Sequence, residues 1–261
     1  MTREYLLFRL SGPMAAFGDI TVGERRSLWD APSKSGVLGL VAGAMGFTRD
    51  DHDALLDLDA TLGFAVRLDS PGYPLRDYHT AQTPTEAARK RLHKAGASTS
   101  TRKNDLVADD LNTVLSERMY RLESVSTVAL WQKPDQNADL TRVEAALKRP
   151  VFAPYLGRKA CPLSAPPRPR RLTCDRLLTG FGAYDAVEEV TRLALKTPRL
   201  DSARVWFEFE AGLTVEEADA KEIRLRRDGL RNRALWQFSD RREGRLEWSD
   251  IPVGTAAEDA A

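Results

Sequence analysis

The chain has 261 residues, of which 42% are hydrophobic and 30% are charged, and its formal net charge is only +1. This length and composition are typical of a globular protein with a sizeable core and exclude a disordered chain. The near-neutral total excludes any argument for nucleic-acid binding from net charge, so the positions of individual charges must carry that argument.

The first ten residues predict a buried strand rather than a signal or membrane segment. Their apolar run, residues 5–10, contains Arg9 and is far shorter than either segment requires. The two cysteines, Cys161 and Cys174, form no CxxC pair, which favours idle buried thiols in a reducing compartment. We therefore expect a soluble, cytoplasmic protein that does not contact a membrane.

Hydrophobic spacing predicts the following elements after that strand. They are a helix at residues 36–46, a short helix or turn at 51–58, strands at 61–69 and 125–131, a helix with Leu140, Val143 and Leu147 on one face, and candidate strands at 205–210, 222–227 and 246–251. The strand at 61–69 alternates between apolar and polar positions, so we expect only one of its faces to be buried.

The order of these elements predicts an α+β fold, namely a ferredoxin-like (RRM-like) sandwich. A long polar stretch between the second and third strands would be an insertion. We expect a domain at residues 1–165 that carries an arm at about 76–122. A smaller, β-rich C-terminal region would cover 166–253, and the small, acidic residues 254–261 would form a disordered tail.

The arm contains the most basic stretch of the sequence. Its cations are Arg89, Lys90, Arg91, Lys94, Arg102 and Lys103, and no acid lies among them. Small residues at 95–101 separate the two basic flanks. Such a segment can neutralise RNA phosphates and become ordered on binding, which we favour over a solvated loop.

A second candidate anion site precedes the first predicted helix. Arg25, Arg26 and Lys34 flank Trp29, and Ser33 or Ser35 can cap the helix that follows. Simple capping with a surface lysine explains the same pattern. A C-terminal arginine cluster with interspersed acids is either a solvated or protein-contacting face or a further nucleic-acid surface. Its arginines are Arg224, Arg226, Arg227, Arg231, Arg233, Arg241, Arg242 and Arg245.

The sequence offers one weak catalytic constellation. Arg76, Tyr78 and His79 could together cleave RNA without a metal, with the histidine activating a ribose hydroxyl. The alternative is that these residues bind RNA or hold the base of the arm. No P-loop, Rossmann fingerprint or metal-ligand spacing is present, so we predict no cofactor, no metal and no catalytic residue.

Five sequence blocks together resemble the CasD family, the fifth CRISPR-associated protein family in its type I-E form. They are YLLFRLSGPMAAFG at 5–18, PSKSGVLGL at 32–40, FAVR at 64–67, LRDYHT at 75–80 and PYLGRKACPL at 154–163. The combination is specific although each block alone is not. No comparable block follows residue 170.

The resemblance implies a non-catalytic subunit of the type I-E surveillance complex Cascade, in antiviral defence. Such a subunit binds the 5′ handle of the CRISPR RNA, and its thumb-like arm packs on the CasC backbone subunit. It also contacts the large CasA subunit and other Cascade subunits, while CasE normally cuts the precursor. Block membership and side-chain chemistry then favour phosphate contacts by Arg25, Arg26, Lys34, Arg76, His79, Arg158 and Lys159, and base stacking on Trp29, Tyr78 and Tyr155.

Two alternatives remain open at this point. A metal-independent endoribonuclease that processes CRISPR repeat RNA would lose cleavage on His79→Ala or Tyr78→Phe. A subunit that only bridges other proteins would retain the guide RNA after charge reversal in the basic arm.

Overall fold

The protein is a mixed α/β structure with antiparallel sheets. The computed structural model describes residues 2–18, 25–26, 28–96, 101, 103, 110–187, 203–209, 220–233, 235 and 237–247. The strands are β1 (Arg3–Ser11), β2 (Met14–Ala15), β3 (Arg25–Arg26), β4 (Leu62–Ser70), β5 (Tyr73–Pro84), β6 (Leu111–Leu122), β7 (Val125–Gln132), β8 (Arg170–Cys174), β9 (Arg204–Glu208), β10 (Glu222–Asn232) and β11 (Gln237–Glu247). The helices are α1 (Lys34–Ala44), α2 (His52–Thr61), α3 (Glu86–Lys94), α4 (Leu140–Lys148) and α5 (Leu177–Val187).

The chain divides into two compact units. The first unit comprises Met1–Phe17, Trp29–Pro74 and Arg121–Ala261. It contains a seven-stranded sheet in the order β10-β11-β9-β4-β7-β1-β8, in which each pairing is antiparallel. Strands β9, β10 and β11 belong to this same sheet, so the sheet continues across the boundary that we predicted between residues 165 and 166. The tail predicted at 254–261 lies outside the described residues.

Helices cover both faces of this sheet. On β9, Glu208 points towards α1, where it bonds Lys34, whereas the adjacent Phe207 joins the core cluster under α5. Consecutive strand residues point to opposite faces, so α1 and α5 lie on opposite sides of the sheet. Helix α1 also packs on α2 and α4. The central strands therefore lie between two helical layers, whereas the edge strand β10 keeps one face exposed, with Leu225 71% exposed.

The central strands form the core under α5. Tyr5 and Trp131 are fully buried and meet edge to face, with their ring centroids 5.8 Å apart. Gly63 pairs with Trp131 across β4 and β7, and a Cβ at position 63 would lie 2.2 Å from the indole ring. The glycine is therefore required there because the ring lies directly on the backbone.

The prediction that β4 is buried on one face only is wrong. Arg67 occupies one of the polar positions of that alternation, for which we expect exposure, yet it is only 4% exposed and lies under α5. Its guanidinium group donates to Asp69 at 2.5 Å and to Asp185 at 2.8 Å, and these carboxylates raise the pKa of the arginine against the effect of burial. Alternation in the sequence predicts exposure for an arginine, but a pair of carboxylates allows its burial.

The second unit comprises Gly18–Leu28 and Leu75–Tyr120. Most of its residues belong to β5, β6 and α3; β5 pairs with β6, and β3 runs parallel to β6 with Arg25 opposite Glu117. Most side chains of β5 are exposed on both faces. The sequence shows this region only as a polar stretch, because a ribbon without a buried face has no apolar alternation.

Most of the other helices and strands that the sequence predicts are present in the structure. The helices predicted at 36–46 and at Leu140–Leu147 are confirmed as α1 and α4, and the strands at 5–10 and 125–131 as β1 and β7. The strand predicted at 246–251 is placed too late, because β11 ends at Glu247. Strand β8 and helix α5 were not predicted.

Two predictions from composition can also be compared with the structure. Cys161 and Cys174 are free, buried thiols, as predicted. Within the described part of the chain, no helix has both the length and the apolar character that a membrane span requires.

Candidate nucleic-acid interface

Main-chain hydrogen bonds in the first unit join the sequence blocks at 5–18 and 154–163 and connect the first of them to the segment that carries Trp29. The Ser164 N–H donates to the Ser11 carbonyl at 2.9 Å, and the Ala16 N–H donates to the Leu156 carbonyl at 3.0 Å. The Trp29 N–H in turn donates to the Phe17 carbonyl at 2.8 Å. The backbone around Trp29 is therefore linked to the turn that carries Tyr155, Arg158 and Lys159.

That turn is closed by its own backbone. The Leu156 N–H donates to the Cys161 carbonyl at 2.7 Å, and the Leu156 side chain is buried. Gly157 adopts a φ of +83°, and a Cβ there would lie 2.0 Å from the Ala16 carbonyl oxygen. Only glycine fits this left-handed position against the neighbouring backbone. The result is a fixed turn on which Lys159 is exposed, Tyr155 is 41% exposed and Arg158 is half-buried.

The ring of Trp29 lies beside two arginines of β10. The guanidinium carbons of Arg224 and Arg226 are 4.3 Å and 4.6 Å from the ring centroid. Both guanidinium groups donate to the buried carboxylate of Glu243 on β11. Trp29 is half-buried in this cluster, so its ring is not the open stacking surface that we predicted.

The prediction of a phosphate contact at Lys34 is corrected. Its side chain is 1% exposed, and the ammonium group lies 3.0 Å from the Glu208 carboxylate and donates to the Asp59 carbonyl at 2.9 Å. Burial lowers the pKa of Lys34, and the two carboxylates of Glu208 and Asp59 partly offset this effect. An ammonium group enclosed in this way is not accessible to RNA.

The predicted anion site at the start of α1 is already filled by the protein. The Lys34 backbone N–H donates to the Asp228 carboxylate at 2.9 Å, and Ser33 caps the helix by accepting from the Gly36 N–H at 3.1 Å. A carboxylate at a helix N-terminus satisfies both the unpaired N–H groups and the helix dipole. The capping alternative was therefore correct at Ser33, whereas Lys34 is not a surface lysine.

In the second unit, three of the predicted site residues lie on β5. Arg76 is 66% exposed and lies 3.8 Å from Glu117, and Tyr78 is 59% exposed. His79 follows Tyr78 directly on a regular strand, so their side chains point to opposite faces. The structure brings Arg76 and Tyr78 to one face and does not bring His79 to them.

The first basic flank of the arm forms helix α3. Thr85 caps it by accepting from the Ala88 N–H at 3.2 Å, and the cations gather near the C-terminal end, where the helix dipole favours them. Arg89, Lys90 and Arg91 are all exposed. Lys90 pairs with Glu86 at 2.9 Å, while Arg91 lies 3.9 Å from Asp110.

The other predicted arm and loop residues are described only in part. Lys103 is exposed. Arg102 lies outside the described residues, and only the backbone is described for Arg25 and Arg26. For these three side chains, the RNA-binding role stays a prediction.

The sequence reasoning missed the residues that hold the Trp29 segment. Asp30 accepts hydrogen bonds from Arg121 and from Arg204, the latter at 2.9 Å. Glu243 was noticed only as an interspersed acid. The usable signal was the alternation of Arg224, Arg226 and Asp228 on one strand, which places all three on one face.

Comparisons with known proteins give consistent results. A family model described as CRISPR-associated protein (Cas_Cas5) matches residues 5–242. The CRISPR system Cascade subunit CasD of Escherichia coli (strain K12) is 30% identical over 242 residues, which is 82% of this chain and 100% of that protein.

Two solved structures share the fold at 24% sequence identity. One, described as a CRISPR RNA-guided surveillance complex, matches with a TM-score of 0.61 and covers 94% of this chain and 90% of that chain. The other, described as a crystal structure of a Cas protein, matches with a TM-score of 0.57 over 95% and 97% of the respective chains.

Proposed function

The chain belongs to the CRISPR-associated (Cas_Cas5) protein family, and on this premise we propose that it is a non-catalytic subunit of a type I-E CRISPR surveillance complex. In that complex it binds the 5′ handle of the CRISPR RNA and takes part in antiviral defence. The observation that carries the proposal is the match to a Cascade subunit over the whole length of that relative.

The strand order supports a ferredoxin-like core within the larger sheet. The elements β1, α1, β4, β7, α4 and β8 follow one another in a β-α-β-β-α-β order, and their strands lie side by side as β4-β7-β1-β8. The longer segment of the second unit, Leu75–Tyr120, is inserted between β4 and β7. We infer that this insertion is the thumb-like arm.

The exposed side chains have the chemistry that single-stranded RNA requires. Phosphates call for accessible cations, which Arg76 and Lys159 supply together with the exposed residues of α3, whereas Arg158 is half-buried. Splayed bases call for exposed aromatic rings, which Tyr78 and Tyr155 supply. The described residues therefore support handle binding at both β5 and the turn after Tyr155.

The ribbon of the second unit also supports a protein contact. Leu75, Tyr78, Val114 and Leu115 are each at least one-third exposed on β5 and β6. Strand alternation places these side chains on both faces of the ribbon, and apolar area exposed in this way fits contact with a neighbouring subunit. We propose the CasC backbone subunit for this contact and the CasA subunit as a further partner.

The geometry of β5 disfavours the endoribonuclease alternative. Metal-free cleavage would need His79, Tyr78 and Arg76 to converge on one ribose and its phosphate. Strand alternation instead directs Tyr78 and His79 to opposite faces.

The test uses the purified chain, a labelled CRISPR repeat RNA and a chelator, with binding and cleavage read from the same samples. We expect intact RNA and an affinity that falls as salt rises from roughly 50 to 200 mM, because phosphate contacts release counterions. Discrete cleavage that His79→Ala abolishes would contradict the proposal. An affinity that does not depend on salt would remove the phosphate role of the exposed cations.

A further inference from the structure

The C-terminal third carries no sequence block of the family, yet one of its carboxylates organises the surroundings of Trp29. Glu243 has a fully buried side chain that three arginines contact. Arg224 donates to it at 2.6 Å, Arg226 at 3.3 Å and Arg241 at 2.6 Å. Three guanidinium groups on one buried carboxylate leave its geometry little freedom.

Two of those arginines are the ones that lie against Trp29. Arg224 and Arg226 occupy alternate positions on β10, which puts them on one face, and Glu243 is the register partner of Arg224 on β11. Without the carboxylate, the two cations would repel each other next to the ring. Glu243 therefore keeps both guanidinium groups at cation–π distance from the indole.

The position of Trp29 is transmitted to the candidate RNA surface through the backbone. Trp29 is hydrogen-bonded to Phe17, and the adjacent Ala16 is hydrogen-bonded to Leu156, next to Tyr155. The residue after Trp29, Asp30, receives Arg204 of β9 at 2.9 Å. Residues of the C-terminal third thus hold two successive positions of the segment that precedes α1, Trp29 and Asp30.

A second carboxylate joins the same cluster to helix α1. Asp228 receives the Arg241 Nε at 2.6 Å and the backbone N–H of Lys34 at 2.9 Å. Arg241 donates to both Asp228 and Glu243. The hairpin β10–β11 is therefore connected to both ends of the segment from Trp29 to Lys34.

We propose that Glu243 is a positioning residue for RNA binding, which holds Arg224 and Arg226 against Trp29 and so fixes the segment linked to Tyr155. This inference rests on the proposed function. Glu243 itself touches no RNA, because its side chain is fully buried.

The primary test measures the RNA affinity of the variant Glu243→Gln, for which charge and positioning predict opposite changes. Glu243→Gln removes a negative charge, so electrostatics alone would tighten the binding of an RNA polyanion. The proposal expects the opposite, a loss of affinity for labelled CRISPR repeat RNA of about tenfold. The matched control is Glu222→Gln, which makes the same charge change on the same hairpin at a side chain that is 45% exposed. This control should bind at least as tightly as the wild type.

A second pair of variants keeps the test decisive if Glu243→Gln folds poorly. Arg224→Gln leaves Glu243 bonded to Arg226 and Arg241, and Arg227→Gln makes the same charge change at an exposed position of β10. We expect Arg224→Gln to weaken RNA binding and to change the emission of Trp29, obtained by subtracting the spectrum of Trp29→Phe. The double variant Arg224→Gln with Trp29→Phe should have the same RNA affinity as the single variant that binds RNA more weakly. The reason is that both changes remove the same contact between Arg224 and Trp29.

Two results would separate the positioning role from a purely structural role and from direct phosphate binding. If Arg224→Gln alters Trp29 emission but binds RNA as Arg227→Gln does, the cluster only stabilises the fold and the inference is overturned. The second result is that the two losses of affinity, caused by Arg224→Gln and by Trp29→Phe, are additive in the double variant and that the salt slope falls by about 0.7. Arg224 would then bind a phosphate directly, and the inference is again overturned. If the wild type itself fails to bind, the proposed function fails as well.

Discussion

Two segments of this chain are both rich in basic residues, but their basic side chains lie in opposite environments. In helix α3 of the arm, the side chains of Lys90 and Arg91 are at least 70% exposed. In the hairpin β10–β11, the side chains of Arg226 and Arg241 are only 7% exposed. The same residue types thus form a candidate ligand surface in one segment and an internal network in the other.

The difference follows from where the acids stand. Glu243 is the register partner of Arg224, and Asp228 shares a strand face with Arg226, so each buried guanidinium meets a carboxylate. The arm has no acid from residue 87 to residue 104. A basic run therefore indicates a ligand surface only if no acid lies where it could pair with the cations, three or four residues away on a helix or opposite them on a neighbouring strand.

The largest expected effect on this contrast is a loss of stability when the central carboxylate of the hairpin, Glu243, is removed. Glu243→Ala leaves Arg224, Arg226 and Arg241 without their shared partner, and breaking a buried ion pair costs about 3–5 kcal/mol of unfolding free energy. Urea unfolding should show a lower midpoint with an unchanged slope. Glu222→Ala, at an exposed position of the same hairpin, should stay close to the wild type; an equal loss there would mean that burial does not distinguish the two acids.

The next effect concerns RNA affinity rather than stability. Replacing Arg89, Lys90 and Arg91 by glutamine should weaken the binding of CRISPR repeat RNA by about tenfold and reduce the salt slope by roughly 0.7 for each phosphate that the arm no longer neutralises. The unfolding midpoint should stay unchanged. The matched control neutralises three exposed arginines of the C-terminal third, Arg227, Arg231 and Arg242. An equal loss of RNA affinity in the control would break the comparison.

A smaller effect is the acid sensitivity of the hairpin. Burial alone would raise the pKa of Glu243, but Arg226 and Arg241 outweigh it and lower the pKa below the ordinary value of 4.5. A lowered folded-state pKa stabilises the protein above the ordinary pKa, and this stabilisation is lost as the pH falls through the lowered value. The unfolding free energy of the wild type should therefore fall more steeply than that of Glu243→Gln between about pH 5 and pH 3. Parallel curves would contradict a lowered pKa.

The smallest effect belongs to the ion pairs on the arm. Lys90 and Glu86 are one helical turn apart and their side chains are 73% and 81% exposed, so water screens their attraction. Lys90→Ala should cause no resolvable shift in the unfolding midpoint. A clear shift would show that this surface pair contributes to the fold and would weaken the contrast with the hairpin.

The sequence predicts those elements whose periodicity matches their burial. Strands β1 and β7 are apolar runs, and α4 shows its buried face through Leu140, Val143 and Leu147. The ribbon of β5 and β6 was not predicted because it has little buried surface to create a pattern. The burial of Arg67 was missed because the carboxylate of Asp185 is 118 residues away along the chain.

In the candidate site, too, local sequence patterns failed to reveal partners that are distant along the chain. Tyr155, Lys159 and Tyr78 were assigned to RNA from block membership and are exposed, and their RNA-binding role stays a prediction. Lys34 was assigned to RNA because Ser-Lys-Ser-Gly before a helix suggests an anion site, but the anion is Asp228, 194 residues away. Long-range carboxylate partners are the information that local spacing lacks.

The most direct test is ultraviolet crosslinking of labelled CRISPR repeat RNA to the intact chain, followed by mass spectrometry of the crosslinked peptides. The two exposed tyrosines, Tyr78 and Tyr155, should stack on bases and dominate the crosslinks, with none from the hairpin peptide at residues 237–247. Crosslinks confined to that hairpin, or no crosslink at all, would contradict the account.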